Sequence, residues 1–218
     1  MTPPPLRHRQ RGLSLLVALL ALAALALAAT ALVRSVHTGS LVAGNVAFKQ
    51  DATAASDQAV RQAIAVLYAK LSASTSGLDA DLASSGYYAS ADALLDATGA
   101  QLGSTSRKLV DWDGDSCAAK TSGTYASCSY APATISTAIN GNAAKYIVFR
   151  LCDAAGSASS ADCAFGTTAS TSSSCQGEIN YKNGGQCADS TLSPYYRIVV
   201  RVRGARNTTS FTETIVHF

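Results

Sequence analysis

The sequence predicts an α+β fold: a long N-terminal helix set against a small antiparallel β-sheet, with loops stapled by disulfides. Three observations carry that prediction. An uncharged apolar run spans residues 13–33, an apolar repeat in steps of three and four continues to Leu71, and two β-patterned segments close the chain. Helix first and strands last is an α+β order rather than an alternating α/β one.

The first element begins in "RQRGLSLLVALLALAALALAATALV", residues 9–33, where a basic cluster gives way to a run broken only by the hydroxyls of Ser14 and Thr30. As a helix, residues 13–33 measure about 31 Å, close to the roughly 30 Å hydrocarbon core of a bilayer. Two processing routes fit these residues. Cleavage after the small-x-small triplet Ala26-Leu27-Ala28 releases a soluble, secreted binding protein. Cleavage between Gly12 and Leu13 leaves the apolar run attached. A secretory apolar region is typically about 7–15 residues, shorter than this one, which favours the early cut. Basic residues precede the span and none lies within it, so the N-terminus is expected on the cytoplasmic side and the remainder outside.

Beyond the span, Val60, Ile64, Leu67 and Leu71 recur at helical spacing, joined by Ala52, Ala55, Ala59 and Ala63. Asp51, Asp57, Gln58, Arg61 and Lys70 fall on the other faces, and Asp57 with Arg61 makes an i, i+4 pair. An unbroken helix from Leu13 to Leu71 would measure about 88 Å. Gly39 and Gly44 each weaken it by about 1 kcal/mol relative to alanine, which predicts a kink or melted turn there. The expected divisions are a leader over 1–12, a membrane helix over 13–33, its continuation over 34–71 and a globular domain over 72–218.

Within the globular part, residues 72–103 have too many Gly and Ser for a long helix and read as short helices or turns. "KYIVFRLC", residues 145–152, reads as a buried strand. Residues 195–203 alternate, with Ile198, Val200 and Val202 facing one way and Arg197, Arg201 and Arg203 between them. Residues 211–218 form a second strand, joined to the first by a hairpin turn at "GARN", residues 204–207. "AAGSASSADCAFGTTASTSSSC", residues 154–175, is a low-complexity loop.

Cys117, Cys128, Cys152, Cys163, Cys175 and Cys187 all follow the apolar run, and none forms a C-x-x-C. Zinc knuckles need short ligand spacing, absent here, so disulfides in an oxidising compartment are expected. Local stapling of short loops gives the pairs 117–128, 152–163 and 175–187.

The composition sets limits on function. The chain has 218 residues with 14% charged side chains and a net charge of +3. Three of its 17 basic side chains, Arg7, Arg9 and Arg11, precede Gly12, so the early cut leaves 14 against 14 acidic ones. A neutral mature chain gives no electrostatic case for nucleic acid. The three histidines are His8, His37 and His217, and a Ser-His-Asp or Cys-His hydrolase would have to use the last. No G-x-x-x-x-G-K or H-E-x-x-H stretch is present, so neither an enzyme nor a cofactor is expected.

"DWDGDS", residues 111–116, places Asp111, Asp113 and Asp115 at alternate positions, a weak candidate for Ca²⁺. An EF-hand loop needs Gly at its sixth place and a carboxylate at its twelfth, whereas Gly114 is fourth and Ser122 twelfth, so a turn packed over Trp112 is favoured. Tyr87, Tyr88, Tyr195 and Tyr196 read either as a sticky surface for a partner or as core and rim.

Several of these stretches carry a family resemblance. A basic leader ending in Gly12, "GLSLLVALL" after it and an unbroken helix resemble the type IV pilins. "RSVHTGSLVAGNVAFKQDATAASDQAV", residues 34–60, is similar to the N-terminal region of PilX-type minor pilins, and "PYYRIVVRVRGARNTTSFTETIVHF" resembles the end of that family. The resemblance implies a pilin-like α+β fold, cleavage by a prepilin peptidase after Gly12 and methylation of the Leu13 amine. It implies a chain held in the inner membrane, docking through its helix against other minor and major pilins to initiate or cap a pilus for adhesion or twitching motility. Major pilins carry Glu at the fifth mature position, which here is Val17. In the family that departure is shared by PilX-like subunits and by the tip pseudopilin of type II secretion. A lone carboxylate in hydrocarbon is costly, and a subunit with nothing stacked ahead of it gains nothing by keeping one.

Overall fold

The computed structural model describes residues 13–74, 76–101, 103–137, 140–167, 192–204 and 207–218. Its first element is helix α1, Leu13–Ala73, which is helical through Gly39 and Gly44. The melted turn expected there is not found. One glycine costs about 1 kcal/mol, less than breaking a helix already propagating on both sides. The chain divides into two compact units, Met1–Phe48 and Lys49–Phe218. The division falls inside α1, so residues 49–73 belong with the sheet.

Among the described residues ten strands follow the helix: β1 Tyr87–Tyr88, β2 Leu95–Asp96, β3 Lys108–Val110, β4 Ser127–Tyr130, β5 Ala133–Thr134, β6 Ala143–Arg150, β7 Phe165–Thr167, β8 Leu192–Pro194, β9 Tyr196–Arg203 and β10 Thr209–Val216. The main sheet runs β1-β6-β9-β10, with β5 also paired to β6. β6, β9 and β10 are antiparallel neighbours in unbroken register, from Ala143 opposite Arg203 to Arg150 opposite Tyr196, and from Thr209 opposite Arg203 to Val216 opposite Tyr196. This is the buried strand and terminal hairpin of the sequence: β6 and β10 begin and end two residues earlier than expected, while β9 begins one residue later and ends where expected. The fold class is α+β, as the sequence predicts.

β1 and β5 share one edge of β6, the first parallel to it and the second antiparallel. Gly86 sits where they meet with φ +65°, and a Cβ there would lie 2.6 Å from the Ala133 nitrogen. Only glycine accepts both the left-handed backbone and that approach.

Pleating sends alternate side chains to opposite faces of the sheet. One face, bearing Tyr146, Val148, Tyr196, Ile198, Val200 and Val202, packs on α1 through Ala52, Ala55, Ala59, Val60, Ala63 and Leu67. Alanine at four of these helix positions removes bulk and admits the backbone close to the sheet. Leu67, 1% exposed, supplies one of the large anchors, worth roughly 1.5–3 kcal/mol by burial.

The opposite face is covered as well. Ile147, Phe149 and Val199 pack against Tyr88, Leu95, Ala97, Val110 and Trp112, of which Leu95 and Val110 lie on a second, parallel three-stranded sheet ordered β2-β3-β4. This second layer changes the meaning of the arginines on β9. Arg203 is exposed and Arg197 half-buried, but Arg201 is only 8% exposed beneath the layer. Tyr87, Tyr88 and Tyr196 are buried, which places them in the core rather than in a surface patch.

Among the described residues two disulfides staple the domain, Cys117–Cys128 and Cys152–Cys163. They close the loops that the cysteine spacing singles out. Cys175 and Cys187 lie outside the described residues.

Candidate functional site

In the unit that ends at Phe48, the helix exposes nearly every large apolar side chain it has. Leu15, Leu16, Val17, Leu19, Leu20, Leu22, Leu25, Leu27 and Leu32 are all more than half exposed. It is the one helix among the described residues long and apolar enough to cross a membrane, with a mean hydropathy of 2.7 over its most apolar window. Such a surface has no favourable place in water, since each exposed leucine forgoes roughly 1.5–3 kcal/mol of burial. Gly12 lies outside the described residues, and Leu13 is the first residue of α1. Val17 stands 55% exposed in the first turns.

The acidic loop between β3 and β4 is not a convergent ligand set. Asp111 accepts backbone N–H bonds from Gly114 and Asp115 on one oxygen (2.9 and 3.0 Å) and from Ser116 on the other (3.1 Å), capping its own turn. Asp113 turns toward β9, where Arg201 donates to both of its oxygens (2.8 and 3.0 Å) and Arg203 to one (3.2 Å). The Arg201 bond is the leading cause that holds the Asp113 carboxyl below its usual range, ahead of the opposing effect of burial. Guanidinium groups thus stand where a metal ion would. An Asp111 oxygen also lies within 4.8 Å of both Cys117 and Cys128 sulfurs, but those sulfurs are bonded to each other and are not thiolate ligands.

The Trp112 carbonyl accepts from the same Arg201, through Nη2 at 2.8 Å, and from one further cation, Lys145 Nζ at 2.7 Å. The indole N–H donates to the Ala97 carbonyl at 2.6 Å, and the Arg201 guanidinium lies 5.5 Å from the ring centre. Trp112 therefore packs beneath the turn, 6% exposed.

A buried ion pair that no sequence pattern announces ties the second layer together. Arg107 Nη1 donates to Asp96 Oδ2 at 2.6 Å, with the two side chains 3% and 1% exposed. Arg107 also donates from Nε to the Thr124 carbonyl, while Asp96 accepts N–H bonds from Gly99 and Gln101. Burial pushes the Asp96 carboxyl up, but Arg107, Gln101, Gly99 and Thr98 together outweigh it and hold the group below its usual range. Arg150, 1% exposed, plays a similar part at the disulfide loop: it donates to the carbonyls of Ala89 (2.9 Å) and Gly156 (2.7 Å) and pairs with Asp79.

Two shallow cavities adjoin this layer. One of about 200 Å³ is lined by Trp112, Phe211, Lys120 and Arg201, and one of about 270 Å³ by Leu95, Gln101, Arg197 and Thr212. Neither brings a histidine to a nucleophile, and His217 instead stacks edge-on to Tyr195 at 5.1 Å with its ring against Gly166. The surface with the strongest chemical demand for a partner is therefore the apolar helix, not a pocket. Comparison with protein-family models, with curated proteins and with solved structures returns no match for this chain.

Proposed function

We propose that this chain is a PilX-like minor pilin, a non-enzymatic subunit that helps initiate or cap a type IV pilus. The single observation that carries the reading is α1 itself. One helix joins a largely exposed apolar stretch to an alanine-rich face packed on a mainly antiparallel sheet. The exposed stretch needs lipid before assembly and sister helices afterwards, and the packed stretch fixes the domain that it carries. In this reading a prepilin peptidase cuts after Gly12, and the amine of Leu13 is methylated. The span then holds the domain outside the inner membrane, and Val17 in place of an acid suits a subunit with nothing stacked ahead of it.

The test is genetic. Removing the chain from the bacterium that makes it should sharply reduce surface pili and twitching motility, and supplying it again should restore both. A copy with Gly12→Val, which blocks the cut, should fail to restore them. Normal piliation without the chain would contradict the proposal, and lost export of secreted proteins with normal pili would move the chain to a type II secretion system.

A further inference from the structure

We propose that Asn140 is a site of spontaneous modification, where hydrolysis of its side-chain amide loosens the grip of the sheet on α1. The turn before β6 reads Asn140-Gly141-Asn142, with positive φ at Asn140 (53°) and Gly141 (80°). Both side-chain amides reach the same carboxylate on the helix. Asn140 Nδ2 donates to Asp51 Oδ1 at 3.1 Å, and Asn142 Nδ2 donates to Asp51 Oδ2 at 2.6 Å. Asp51 stands next to Ala52, where the packed face of the helix begins. The two asparagines, Asn142 first, lower the Asp51 pKa, which means that they favour its charged form.

The chemistry requires only water. The Gly141 peptide nitrogen, having lost its proton, attacks Asn140 Cγ; a new C–N bond closes a five-membered imide, and the side-chain nitrogen leaves as ammonia. Water then adds to either imide carbonyl, and the ring opens to aspartate or isoaspartate. Glycine in the following position presents no Cβ to obstruct the attack. A Cβ placed on Gly141 would meet nothing within 4 Å, and Asn140 is itself exposed, so nothing crowds the turn once the Asn140 amide swings off Asp51.

The product reverses the sign of the contact. A carboxylate is an acceptor only, so residue 140 loses its bond to Asp51 and sets a like charge beside it. Isoaspartate also lengthens the main chain by one methylene between residue 140 and Gly141, one residue ahead of Asn142, whose 4% exposed side chain makes the remaining bond. The site thus couples the age of the chain to the hold on the start of the packed helix.

The full-length chain in detergent should be kept for days in mildly alkaline buffer, then reduced, alkylated and digested with trypsin. The peptide bearing Asn140 should gain about 1 Da and split into two products, with fragmentation placing the change at Asn140 rather than Asn142. Retention of the Asn140 amide in the folded chain, while a urea-unfolded control converts, would overturn the proposal. The Asn140→Asp variant should melt about 2–4 °C lower than the parent. Asp51→Asn added to it should recover most of that shift, because an amide again faces a carboxylate. An Asn140→Asp variant that melts like the parent would overturn the coupling to the helix.

Discussion

Arg107 and Asp96 illustrate how a mostly uncharged domain uses the few charges that it buries. Taking both from water is costly, and the pair is tolerated because nearly every donor and acceptor around it is matched. Removing one partner leaves the other buried and unpaired, so Asp96→Asn or Arg107→Met should cost about 3–5 kcal/mol in urea unfolding of the domain. The pair also has a pH signature. Because the folded-state pKa of Asp96 is depressed, its stabilisation is complete above the unfolded value of about 3.9. It is lost as pH falls through the lower, folded value. Asp113, lowered chiefly by Arg201, adds a smaller effect of the same sign because it is partly exposed. Urea midpoints should therefore hold from neutral pH down to about 5 and drop below about 4, and Asp96→Asn should flatten that drop. None of this is legible in the sequence, since an Asp and an Arg eleven places apart in loop-like residues read the same whether they are buried or wet.

Among the elements, length and periodicity decide what the sequence discloses. α1, β6, β9 and β10 are long enough to show their 3.6- or 2-residue period, and the alanine face on the sheet consists of the residues that the helical spacing picks out. Leu67→Ala should cost about 2–5 kcal/mol by leaving a cavity. Ala59→Leu, at a position with no exposure, should cost about 1–3 kcal/mol by forcing helix and sheet apart. β2, β3 and β4 have two to four residues each and are too short to show a period. The second layer that they build is accordingly invisible until the fold is seen, and so is the burial of Arg201. The hints of it are Trp112 beneath the acidic turn and the cysteines, because Cys117–Cys128 closes the loop that leads into β4. Replacing both with alanine should lower the stability by about 2–3 kcal/mol, read from urea unfolding as a lower midpoint with a slope that stays or rises, because the unfolded chain loses a cross-link.

At the scale of the whole molecule, the chain combines two surfaces with opposite requirements. The unit from Lys49 to Phe218 buries its own core on both faces of a sheet, whereas the helix before it leaves the large apolar side chains from Leu15 to Val46 mostly exposed. The globular half satisfies itself, so the proposed role rests on the half that does not. Assignment to pilus assembly depends on whether that apolar stretch persists in the working protein. The most direct measurement is the intact mass of the mature chain taken from the membranes of the cell that makes it. A PilX-like minor pilin gives a polypeptide lacking residues 1–12 and carrying one added methyl group at Leu13, and this is the result expected of the proposed role. A polypeptide that begins after Ala28 and is recovered from the soluble fraction would contradict it.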